Sequence, residues 1–138
     1  MTRVLDINFI RYLNFFEKIT RVRTNYCFNY NNYIYFAVLK PFFSKAIGKE
    51  GRNVRKISET LRKRIKIVAM PSDESGAGKF FSDIVSPYEI QSFKLENGEF
   101  VITASRQNKA GLIGRNRVRL QEMQDIADQF FEKKLKIV

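Results

Sequence analysis

The chain has 138 residues, 44% of them apolar, with 25 Lys/Arg against 14 Asp/Glu. One cysteine and no histidine exclude an intramolecular disulfide, a zinc site of the Cys/His kind and histidine acid–base catalysis. A formal charge of +11 calls for an anionic partner, nucleic acid before a membrane surface.

Leu5, Phe9, Leu13 and Phe16 recur at helical spacing, so residues 3–19 read as an amphipathic helix. Charge is mixed into Leu5–Arg11, unlike a secretory segment. No stretch approaches the roughly 18–20 apolar residues of a membrane span. These features imply an intracellular, cytoplasmic chain with no membrane partner.

Two β-prone runs, residues 25–30 and 33–39, flank Asn31-Asn32 and predict a tight hairpin, because Asn tolerates positive φ at both turn positions. That register puts Tyr26, Phe28, Tyr30, Tyr33 and Tyr35 on one face, and Cys27, Ile34, Phe36 and Val38 on the other. The aromatic face could stack bases or pack against a helix or a neighbouring domain. Pro41 ends the second strand. Residues 43–47 then form a short helix, Gly48–Gly51 a loop, 52–62 a longer helix and 65–69 a strand.

Residues 71–78 are polar and Gly-rich, and read as a linker or loop. The same order then recurs: a helix over 79–85, strands over 88–95 and 100–104 joined at Asn97-Gly98, a short helix over 108–113, Gly114–Arg117, a helix to about Phe131 and a last strand over 135–138. Superposing the two loops pairs Ile47 with Ile113, Gly48 with Gly114, Val54 with Leu120, Ile57 with Met123 and Leu61 with Ala127. A recurrence of order, loop and apolar spacing is stronger than any one motif.

Gly48-Lys49-Glu50-Gly51 sits between two apolar helical stripes, in the most basic part of the chain. Lys45–Lys66 holds nine Lys/Arg and two Glu, too lopsided for mutual ion pairing. Two glycines three apart allow a tight reversal and a close approach to a ligand, and the next helix points its N-terminus at the same place. A Gly-x-x-Gly loop of this kind clamps a single-stranded phosphate backbone in the KH module. Lys49 and Arg52 flank the loop as phosphate contacts, whereas Arg62–Lys66 could serve solubility alone. Ser75–Lys79 fails as a P-loop, having Asp73 and Phe80 where Gly and Ser/Thr are needed. Glu122, Asp125 and Asp128 read as a solvated helix face and not as a metal site.

Over nearly its whole length the sequence resembles the archaeal NusA-like transcription factors, which consist of two tandem type II KH domains. The resemblance rests on Ala46–Gly51 with Val54 and Ile57, on Ala110–Asn116, and on Asn25-Tyr26-Cys27 before the hairpin. It implies an α+β fold of two αββααβ domains, each a three-stranded sheet with helices on one face. The domains span 1–72 and 78–138, with 73–77 as linker. It also implies single-stranded RNA binding in transcription termination or antitermination, with RNA polymerase as a partner. One position departs from the family: its second loop usually ends in Gly, where this chain has Arg117. Arg117 predicts a second loop that is reshaped or less competent.

The expected RNA-binding residues are Ile47, Gly48, Lys49, Glu50, Gly51, Arg52, Val54, Arg55, Ile57 and Ile65, with Ile113, Gly114, Arg115, Asn116, Arg117 and Arg119 in the second half. Ile47, Val54, Ile57 and Ile65 would floor a groove for unstacked bases. The expected protein is a monomer, not an enzyme, with no cofactor and no metal. The alternatives are a ribosome- or RNA-processing-associated KH protein, and an adaptor docked on RNA polymerase.

Overall fold

The computed structural model describes residues 7–138. The fold is α+β, with six helices and two three-stranded sheets among the described residues. The chain divides into two compact units whose boundary lies between Ser72 and Asp73. The order α-β-β-α-α-β occurs once in each.

In the first unit α1 spans Ile7–Thr20, so residues 3–6 of the predicted helix lie outside the described residues. The helix stops at Thr20, whose buried hydroxyl donates to the Phe16 carbonyl at 2.8 Å and accepts from the Val22 amide at 3.1 Å. Strands β1 (Tyr26–Tyr30) and β2 (Tyr33–Leu39) pair antiparallel from Tyr30–Tyr33 outward. Their two turn residues, Asn31 and Asn32, have φ of 52° and 63°, the left-handed values that a two-residue hairpin requires. Helices α2 (Phe43–Ile47) and α3 (Arg52–Leu61) follow, then β3 (Arg64–Met70). The return through two helices brings β3 alongside β2 in parallel, from Tyr33–Arg64 to Leu39–Met70.

Phe16 of α1 stacks on Phe36 of β2 at 4.4 Å between ring centroids. Around this pair Cys27, Ile34, Val38, Ala46, Ile57, Ile65 and Ile67 close one core, with Phe9, Leu13 and Leu61 packed on it. The hairpin faces divide as the register predicts. On the other face Phe28 stacks on Tyr35 at 5.2 Å, and Phe28, Tyr30 and Tyr35 are buried. A buried ring offers no face to a base.

In the second unit the segment expected as linker is ordered into the fold. The Asp73 carboxylate accepts from the Ser75 amide at 2.9 Å and from the Ser75 hydroxyl. The hydroxyl first, then the amide, hold that carboxyl below its ordinary range. The capped turn runs into α4 (Ala77–Val85), which starts two residues earlier than predicted because Ala77 is buried. Strand β4 is shorter than predicted, Ser92–Glu96. Pro87 has no amide to offer a ladder, the Tyr88 amide turns back to the Val85 carbonyl, and the Glu89 amide donates to Asn108 Oδ1 at 3.3 Å. β5 (Glu99–Thr103) pairs antiparallel with β4 across Asn97-Gly98 and parallel with β6 (Lys134–Ile137). Between β5 and β6 run α5 (Arg106–Ile113), with Ser105 capping it through the Asn108 amide, and α6 (Val118–Phe131). The core is aromatic: Phe80, Phe81, Phe93, Phe100 and Phe131 lie ring to ring. No helix of the described residues is long and apolar enough to cross a membrane.

Candidate nucleic-acid interface

Each unit turns between its paired helices through one backbone shape. Gly48 lies at φ 79°, ψ 167° and Gly114 at 75°, 169°. Glu50 lies at 55°, 29° and Asn116 at 56°, 25°. The fourth positions, Gly51 at 72°, 21° and Arg117 at 61°, 23°, are both left-handed. The hydrogen bonds repeat too. Gly48 and Gly114 amides donate to Ser44 and Ala110 carbonyls, both at 3.0 Å, and Gly51 and Arg117 amides donate to Gly48 and Gly114 carbonyls at 3.1 and 3.2 Å. Arg117 therefore has not reshaped the second loop. It sits in the strained conformation that glycine would hold freely.

The two glycines of the first loop are needed for different reasons. A Cβ on Gly48 would come within 2.9 Å of Asn53 Nδ2 and 3.2 Å of the Asn53 amide, so internal packing demands glycine there. A Cβ on Gly51 would meet only Arg55 Nη1, at 3.6 Å. That is ordinary contact, so it is the left-handed φ of 72°, and not packing, that favours glycine at 51, and the missing side chain lets a ligand come close to the backbone.

Asn53 makes the first loop rigid by donating to the Lys45 and Ala46 carbonyls at 3.2 and 3.1 Å, the open carbonyls at the end of α2. Arg119 holds the same place in the second loop and donates to the Gly111 carbonyl at 3.0 Å. Its guanidinium lies 5.8 Å from the centre of the Tyr88 ring, and a Cβ on Gly111 would be 2.1 Å from that ring. Arg119, expected as an RNA contact, is thus a clamp of the turn. Asn53, Tyr88 and Gly111 went unrecognised in the sequence, although a glycine inside a predicted helix was itself a signal of close packing.

Lys49, Glu50 and Arg52 are exposed around the first loop, as are Arg115, Asn116 and Arg117 around the second. Arg55 is exposed as well, but its guanidinium donates to the Glu50 carbonyl and braces the loop. Ile47, Val54 and Ile113 are half-buried and present surface beside the turns. Ile57 and Ile65 do not: they are 0% and 6% exposed and belong to the core. The expected groove floor reduces to Ile47 and Val54, because α3 turns Ile57 inward onto the sheet while β3 points Ile65 the same way.

Charge is divided unequally. Residues 4–72 carry 14 Lys/Arg and four Asp/Glu, whereas residues 73–138 carry ten of each. In the second unit cations find acids: Lys79 with Asp83 at 3.3 Å, Lys133 with Glu74 at 3.1 Å and Lys136 with Glu99 at 3.5 Å. Lys49 and Arg52 have no ion-pair partner among the described residues. The first loop stands in a strongly positive half and the second in a neutral one.

The matched dihedral angles give opposite substitutions opposite effects. Gly51→Ala should lose about 1 kcal/mol of stability and Arg117→Gly should gain about as much. Gly48→Ala should lose more than Gly51→Ala, since its Cβ also collides with Asn53. Urea midpoints of the three variants check this, and equal losses at Gly48 and Gly51 would contradict the packing difference.

No protein-family model matches the chain, and no curated protein does. Among solved structures it is similar to the crystal structure of APE1850, with 26% identity and a TM-score of 0.68, covering 97% of this chain and 100% of that one.

Proposed function

We propose that the protein binds single-stranded RNA through the Gly48–Gly51 loop of a KH-like first unit, and that it acts in transcription termination or antitermination as a NusA-like factor with RNA polymerase as partner. The binding reading rests chiefly on one observation: Gly51 holds a left-handed position where a Cβ would meet nothing but Arg55 Nη1, at 3.6 Å, beside the exposed cations Lys49 and Arg52, which have no ion-pair partner among the described residues. A phosphodiester backbone can lie close against Gly51 for want of a side chain there, and the N-terminus of α3 and both side chains would offset its charge. Ile47 and Val54 supply the apolar surface on which an unstacked base can rest. The αββααβ order of each unit and its Gly-x-x-Gly-shaped turn support the tandem KH assignment. The role in transcription rests on the sequence resemblance.

The second unit contributes less to binding. Arg117 places a Cβ and a long side chain where the first loop has none, Arg119 is engaged in its own turn, and the net charge of residues 73–138 is zero.

A loop that grips one backbone beside a surface for splayed bases discriminates against duplexes. A fluorescence titration at fixed salt should show a 12-nucleotide single-stranded RNA binding more tightly than a duplex RNA or DNA of equal length. Equal or tighter duplex binding would sink the reading.

A further inference from the structure

We propose that Arg62, Lys63, Arg64 and Lys66, gathered with Tyr33 at the far end of α3, form a second phosphate-contact surface that extends the RNA footprint of the first unit beyond its loop. The inference rests on the single-stranded RNA reading above. α3 has ten residues, so Arg62 and Lys63 lie about 15 Å along the helix from Gly51. Arg64 and Lys66 alternate with the core residues Ile65 and Ile67 and lie with Tyr33 on the sheet face away from α3. A strand leaving the loop would reach them round the β3 edge of the sheet.

Two features separate this patch from a solvated charge run. The first is its order. Arg62 is fixed at φ 54° as the residue that ends α3. The turn is pinned because the Lys63 amide donates to the Ser58 carbonyl at 3.3 Å, and the Ser58 hydroxyl donates to the Lys63 carbonyl at 2.7 Å. Arg64 faces Tyr33 across the β2–β3 register, with its guanidinium 5.8 Å from the ring centre. Lys66 Nζ lies 4.5 Å from the same centre. Cations laid on a ring lose less freedom on binding than cations waving in water.

The second feature is the lack of compensation. None of the four has an ion-pair partner among the described residues. A helix C-terminus favours nearby cations, which accounts for Arg62 and Lys63. It does not account for Arg64 and Lys66, which belong to the strand and lie on Tyr33. Like charges held together without acids repel one another, and an anion crossing them relieves that repulsion.

The test compares a tetrauridylate, long enough for the loop alone, with a 12-nucleotide oligouridylate on the full chain. Arg62→Asn, Lys63→Gln and Arg64→Gln together should weaken the 12-mer at least tenfold, and should flatten its log-affinity against log-salt slope by about 2. Tetramer affinity should hold within about twofold. Asn at position 62 keeps the left-handed turn, and Arg64→Gln alone, which leaves the helix end intact, should flatten the slope by about 0.7. Unchanged 12-mer affinity and slope would overturn the proposal, and so would equal losses for both oligomers, which mark a general loss of charge. Lys49→Asp with Glu50→Asp separates the two readings. If it weakens neither oligomer while the triple variant weakens the 12-mer, the loop assignment fails and the patch stands.

Discussion

Lys49→Asp combined with Glu50→Asp should lower the affinity for a short single-stranded RNA at least tenfold, about 1.4 kcal/mol. The pair leaves two carboxylates and no cation at the two middle positions of the loop, where a phosphate must approach. Both side chains are exposed and neither takes part in the core. Glu50 lies at φ 55°, a conformation that Asp accepts readily, so the turn should persist. The circular dichroism spectrum and thermal midpoint should match the parent protein, which makes the loss one of binding and not of folding. Unaltered affinity would move the RNA site off the first loop.

The largest expected effect on stability comes from Phe36→Ala. Phe36 is fully buried, stacks on Phe16, and lies in the central strand of its sheet between β1 and β3. Truncation removes the transfer free energy of a phenyl ring and leaves a cavity that α1 cannot fill without tilting. A loss of about 3–5 kcal/mol is expected, a large part of the roughly 5–15 kcal/mol that holds a typical domain together. Urea unfolding should show it, and a loss below about 1 kcal/mol would mean that α1 and the sheet are not packed as described.

Local chemistry made much of this fold legible. Asn31-Asn32 and Asn97-Gly98 specify hairpins because few residue pairs accept two positive φ values, and period-two alternation then assigns each hairpin face. The first helix–loop–helix turn was legible from two glycines and from apolar residues three and six positions further on, and the second from Gly114 and the same apolar spacing. What escaped reading depended on residues distant in sequence. Nothing near Tyr88 says that its ring will lie on Gly111, so residues 88–91 read as strand when they are a loop packed on α5. Arg119 read as an RNA contact, because its hydrogen bond to the Gly111 carbonyl reaches back eight residues across a turn. Ile57 and Ile65 looked like a groove floor, since spacing shows which residues share a face but not how deeply that face is covered. The shape of the second loop was open for a related reason. Arg117 strains its backbone by an amount comparable to one hydrogen bond, and only the surrounding turn decides whether the strain is tolerated.

The division of charge between the halves bears on how an encounter begins. A polyanion at a distance senses the summed field of the chain, and that field originates almost wholly from residues 4–72. Attraction of this kind raises encounter rates by roughly 10 to 1,000-fold and fades as salt shortens its reach. On the proposed RNA-binding reading the positive half therefore leads each collision, and the Gly48–Gly51 loop meets the strand first. The neutral half arrives afterward, already tethered, and needs no long-range pull of its own. Its Gly114–Arg117 loop can work at the high effective concentration that tethering supplies, which makes arrival, and not equilibrium grip, the step most sensitive to ionic strength.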